Sequence, residues 1–229
     1  MFSFEGFMRI NLFLRGIYRI AYLNLLWIAA TVAGLVVFGI GPASYAVAAY
    51  IDRWFRFGET PPVTRAFVGH LRTHYWRSAA MGWIVSAAAA IAITNIFLAT
   101  DWILQFANVL ALIAVGIVAA YVFPLMAATD VRGLGRQLGT ALMIGIGSLH
   151  WTIVATAAVA ATFWLLANYA LPLLFLFGIG IPAAAVGFVT RIVFGRLVAD
   201  AAAEELHTSP PRARETTRVH AHLARGKSQ

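Results

Sequence analysis

The chain contains no cysteine. That removes disulfides, thiolate metal sites and cysteine nucleophiles together. Charge is also scarce: Asp, Glu, Lys and Arg make up 11% of 229 residues, where a soluble domain carries about a quarter. No Asp, Glu or Lys stands inside the long apolar runs, whereas proton- and ion-coupled carriers keep an ionisable group there. There is no Gly-x-x-x-x-Gly-Lys-Ser/Thr, so no P-loop ATPase. Gly133-Leu134-Gly135 with Gly139 lacks both the third glycine and the preceding strand of a dinucleotide turn.

What is present is hydrocarbon. The chain is 61% hydrophobic with a mean hydropathy of +0.80, and several apolar runs reach the ~18 residues that mark a membrane span. The runs are continuously apolar rather than alternating, which argues against a β-barrel. The expected fold is all-α, a polytopic helical membrane bundle. The net charge of +8 comes from arginines beside the runs and in the tail. It reads as the positive-inside bias of a membrane protein and not as a nucleic-acid footprint. Arg9, Arg15 and Arg19 precede an apolar run and Ala46-Val47-Ala48 mimics a cleavage site. The run exceeds the roughly 7–15 residues of a signal core, and basic residues follow it, so the expectation is an uncleaved span.

In chain order, residues 2–19 predict an amphipathic helix lying on the inner leaflet. Residues 20–38 predict a first span and residues 43–57 a second helix ending in Arg53 and Arg56, with Gly41-Pro42 as the break between them. In residues 59–77, Thr60 is the expected cap before Pro61. Val63, Phe67, Leu71 and Tyr75 form an apolar stripe, giving a second interfacial helix with Arg65 and Arg72 turned away from it. Four longer spans are expected near 79–99, 103–127, 138–167 and 171–197. Residues 1–200 then form one transmembrane domain, and 201–229 a polar, disordered cytoplasmic tail.

Lysine and arginine occur before residue 20, in 53–77, in 132–136 and after 190, and are absent from 100–102 and 168–170. The positive-inside rule puts the four basic regions in the cytoplasm, with both termini inside. Residues 20–57 must then cross twice or dip in and return. The first expectation is about six transmembrane helices with Gly41-Pro42 at the outer tip of a hairpin. The alternative is four or five spans with a re-entrant N-terminal hairpin.

Leu23-Asn24-Leu25-Leu26-Trp27, then Phe38-Gly39-Ile40-Gly41-Pro42-Ala43, then a basic helix end at Arg53 and then Phe67, together resemble the YesL-like family of bacterial membrane proteins (domain of unknown function 624). The likeness is best over residues 11–77. The family usually has Thr after Gly-Pro-Ala, and Ser44 keeps the hydroxyl. The resemblance implies an integral plasma-membrane protein with no established activity, whose relatives accompany carbohydrate importers. It makes Asn24, Trp27, Gly39, Gly41, Pro42 and Ser44 candidate motif residues, with Arg53 and Phe67.

Other constellations are weaker. His70 and His74 share a helical face but no Asp, Glu or Cys stands at ligand spacing, so no metal site is expected. His220 and His222 add nothing. Ser148 and His150 point apart on one helix and make no protease dyad. Phe177-Gly178-Ile179-Gly180-Ile181-Pro182 loosely echoes the first Gly/Pro break, so Gly178, Gly180 and Pro182 form a candidate second helix break. Paired breaks can line a binding site at midplane, though Gly and Pro are common in membrane helices anyway. The expected function is a non-enzymatic accessory or assembly partner of a carbohydrate ABC importer. A small-solute channel or carrier is the alternative. The partners expected are the lipid bilayer and transporter subunits. No cofactor and no nucleic acid are expected.

Overall fold

The computed structural model describes residues 4–129 and 133–208. Among these there are nine helices and no strand: α1 (Phe4–Ala33), α2 (Ile40–Phe57), α3 (Val63–Thr73), α4 (Tyr75–Leu98), α5 (Trp102–Ala128), α6 (Leu134–Gly147), α7 (Leu149–Tyr169), α8 (Leu171–Phe177) and α9 (Gly180–Thr208). The all-α expectation is borne out. Among the described residues, four stretches are long and apolar enough to cross a bilayer: Ile10–Ala33, Tyr75–Leu98, Trp102–Ala128 and Leu149–Tyr169. The chain forms two compact units, residues 1–191 and 192–229. In the second, the described part is helical from 192 to 208. The expected tail therefore opens as helix, and its later part, with Pro210, Pro211, His220 and His222, lies outside the described residues, as does Arg132.

Several boundaries differ from expectation. The surface helix and the first span are one continuous helix, α1, because nothing between Arg15 and Ile20 breaks the helical run. The turn that follows is 34–39, not Gly41-Pro42. Leu35 (φ 52°) and Val36 (φ 65°) reverse the chain there, and the Val36 N–H donates to the Thr31 carbonyl at 2.8 Å. Gly41 and Pro42 lie in the first turn of α2, where a missing proline N–H costs nothing. Thr60 caps nothing: α3 starts at Val63 behind Pro62, and it ends at Thr73, so Tyr75 belongs to α4. The overlong 138–167 segment breaks at Ser148, whose hydroxyl turns back to the Ile144 carbonyl at 2.6 Å. The 171–197 segment breaks after Phe177.

Local chemistry explains the remaining ends. Gly58 takes the left-handed conformation (φ 68°) that closes α2. Asp101 caps α5 by accepting from the Ile103 N–H at 3.0 Å. The core sits where α1, α2 and α3 meet: Leu23, Ala46, Val47, Tyr50, Ile51 and Phe67 are all buried together. The inward stripe of α3 is as expected at Phe67 and Leu71, and both pack against the core of α1 and α2. α4 and α5 pair as a helical hairpin, and α2 packs against both.

Candidate functional site

The motif residues converge where α1, α2 and the start of α9 meet. Asn24 is buried on α1, and its Oδ1 accepts the backbone N–H of Ile179 at 2.8 Å. Ile179 sits in the break between α8 and α9, so its N–H lies outside the regular helix ladders. Three residues on, Trp27 donates its indole N–H to Ser44 Oγ of α2 at 3.1 Å. One turn of α1 therefore ties down both helix beginnings, and Asn24 joins the two candidate motifs across 155 residues of sequence.

The glycines allow these approaches. A methyl on Gly39 would lie 2.6 Å from the Thr31 Cα and the Ala30 oxygen. One on Gly41 would overlap the Ser78 carbonyl, and one on Gly82 would lie 2.7 Å from the Gly41 Cα. Helices α2 and α4 thus meet backbone to backbone, as small residues permit between membrane helices. A methyl on Gly180 would lie 2.6 Å from the Ile20 Cγ2 and 3.0 Å from the Ile20 carbonyl oxygen. Pro42 is buried against this crossing and Pro182 lines a cavity beside it, while Gly178 sits at the break itself.

Arg53 and Phe67 lie apart from this junction. Phe67 fills the α1–α2–α3 core. Arg53 forms an exposed ion pair with Glu59 at 3.5 Å. Nearby, Arg56 donates to the buried Asp52 at 2.8 Å. His70 has a buried Nε2 with no protein partner. Desolvation, then Arg53, then His74 push its pKa below the ordinary histidine value. His74 packs edge-on against Tyr45. Among the described residues, no group of three His, Cys, Asp or Glu side chains is arranged to hold a metal ion.

Two hollows flank the junction. One, of about 410 Å³, is lined by Ser44, Ala48, Gly82, Ser86, Ala120 and Pro182, among others. The other, of about 690 Å³, lies on the far side of Trp27 and Ile179, which line both. Among the described residues, no charged side chain lines either one. Sequence reasoning missed Gly82 and Pro124 here. The four-residue spacing of Ser78, Gly82 and Ser86 is a small-residue stripe that marks such a contact in advance.

The hairpin turn is held by α4. Trp83 Nε1 donates to the Val37 carbonyl at 2.6 Å, and the Tyr75 hydroxyl donates to the Phe38 carbonyl at 3.1 Å. These bonds satisfy carbonyls of the turn itself, which lies outside both α1 and α2. They bind the turn to the first turns of α4, which also carry Arg77.

The comparisons agree with the motif. Residues 20–96 match the family described as protein of unknown function, DUF624. The chain is 30% identical over 160 residues to uncharacterized protein YteU of Bacillus subtilis, covering 68% of this chain and 72% of the relative. It is 28% identical over 172 residues to uncharacterized protein YesL of the same organism, covering 74% and 82%. Uncharacterized protein YesV, also of Bacillus subtilis, is 32% identical over 114 residues, covering 47% and 54%. No solved structure matches. The chain belongs to the DUF624 family, as its motif residues indicate.

Proposed function

We propose that this DUF624 protein is a non-enzymatic accessory or assembly partner of a carbohydrate ABC importer in the bacterial plasma membrane. The observation that supports this most is how the motif is used. Asn24 and Trp27 spend their polar groups on Ile179 and Ser44, so the motif fastens helices together. The importer belongs to the family resemblance, and the apolar lining of the two hollows agrees with it, since a sugar path needs many polar partners. The test is affinity purification from native membranes of cells grown on oligosaccharides. Transporter permease subunits are expected in the eluate, and recovery of none on any carbon source overturns the proposal.

One observation favours a channel or carrier instead. Ile40 and Gly41, just past the first chain reversal, and Ile179 and Pro182, at the second, line the same hollow, the arrangement in which interrupted helices form a midplane site. Uptake of labelled oligosaccharide by vesicles containing only this protein supports that reading. Its absence leaves the accessory role.

The proposed topology is re-entrant. Trp83 stands six residues beyond Arg77, about 9 Å along a helix rising ~1.5 Å per residue. The hairpin turn bonded to Trp83 and Tyr75 then stops well short of the Asp101 end of α4. If Arg77 lies at the cytoplasmic face, α1 and α2 enter and leave on that side. α4, α5, the α6–α7 pair and the α8–α9 pair make four crossings, and both termini are cytoplasmic.

A further inference from the structure

The hollow of about 410 Å³ has the size and composition of a ligand site, apolar with a few polar groups. Its polar groups are of one kind. Ser44 Oγ accepts from Trp27 and gives its own proton to no protein acceptor among the described residues. Ser86 Oγ has no protein partner among them. Ala120 also lines the hollow, and Pro124, four residues on, has no N–H to donate to its carbonyl. Two hydroxyl donors and Ala120, whose carbonyl has no N–H four residues on, thus line a space with no charged wall among the described residues. In a hydrocarbon setting such groups are costly to leave unpaired.

We propose that this hollow binds an uncharged single-chain alcohol. Its hydroxyl oxygen accepts from Ser86 and Ser44, its proton goes to the Ala120 carbonyl, and its alkyl chain lies against Val47, Ala48 and Phe123. A single hydroxyl supplies both an acceptor and a donor, which matches the unspent groups. A charged head finds no counter-ion here, and burying it unpaired is strongly disfavoured. A sugar carries more hydroxyls than these walls can partner. The inference does not depend on the importer.

The test is photolabelling of the full chain in phosphatidylcholine discs with 1-decanol carrying a diazirine in its chain, followed by peptide mapping. Labels are expected on α2, α4 and α5 around the hollow. Unlabelled 1-decanol should compete, whereas decyl sulfate and decyltrimethylammonium should not. Ser86→Ala should cut labelling about fivefold, the effect of losing a hydrogen bond of ~1 kcal/mol. Ala48→Phe should abolish labelling by filling the space. Should Ala48→Phe fail to fold, the Ser86→Ala arm decides. Labels confined to outward residues such as Phe97 and Leu104, equal competition by charged probes, or full labelling of Ser86→Ala would each overturn the proposal.

Discussion

Adding one methyl group at Gly82 tests the packing that positions the motif. In Gly82→Ala the new carbon would sit 2.7 Å from the Gly41 Cα and 3.0 Å from its nitrogen. Carbon atoms rest about 3.5–4.0 Å apart, so α2 and α4 must separate by about 1 Å. The obstacle is backbone, which cannot rotate away as a side chain can. Overpacking of this sort costs roughly 1–3 kcal/mol. The alanine gains back up to about 1 kcal/mol of helix propensity, leaving a net loss of roughly 0–2 kcal/mol and a gap of about 1–3 kcal/mol from the same change made where there is space. For a chain of this size each kcal/mol moves the melting temperature by roughly 2–4 °C. Gly116→Ala is the control, since a methyl there meets nothing within 4 Å and should be neutral or stabilising. Thermal unfolding of both variants in one mild detergent reads the difference. If Gly82→Ala melts with Gly116→Ala, at or above the unmodified protein, the backbone contact is refuted.

Two further outcomes are expected. Asn24→Leu keeps the branched shape but leaves the Ile179 N–H without its acceptor. It should lower stability by about 1–2 kcal/mol, within the range for an unmade buried bond and near the upper end for bonds inside membranes; an unchanged melting temperature would remove Asn24 from the clasp. His70 has a folded pKa below the ordinary value of ~6.5, through desolvation first and then Arg53 and His74. Above that value the ring is neutral in both states, and as pH falls below it the unfolded chain takes the proton first, so stability falls. His70→Asn should flatten the melting-temperature slope between pH 7 and 5, and an equally steep slope would mean that other groups carry it.

Much of this could be read in the sequence because bilayers demand long apolar helices. The bundle, the family and the inward stripe of Phe67 and Leu71 follow from hydropathy, motif and spacing. The breaks were less legible. Glycine and proline mark where a helix is weak, yet Gly41 and Pro42 served close packing and the first turn of α2, while Leu35 and Val36 made the reversal. Turn residues with positive φ are ordinarily glycine or asparagine, so a Leu-Val turn gives no local signal. The Asn24–Ile179 bond was invisible for a different reason. Both residues were in view as parts of separate motifs, but sequence carries no measure of proximity across 155 positions.

The re-entrant hairpin is the claim on which the arrangement of the clasp in the membrane rests. The chain has no cysteine, so single cysteines report cleanly. Leu35→Cys, at the hairpin turn, Phe57→Cys, at the end of α2, and Asp101→Cys, between α4 and α5, should be exposed in turn to a membrane-impermeant maleimide in right-side-out vesicles. The account predicts that Asp101→Cys reacts while Leu35→Cys and Phe57→Cys stay protected. Rapid external labelling of Leu35→Cys beside a protected Phe57→Cys would put the turn across the bilayer and contradict it.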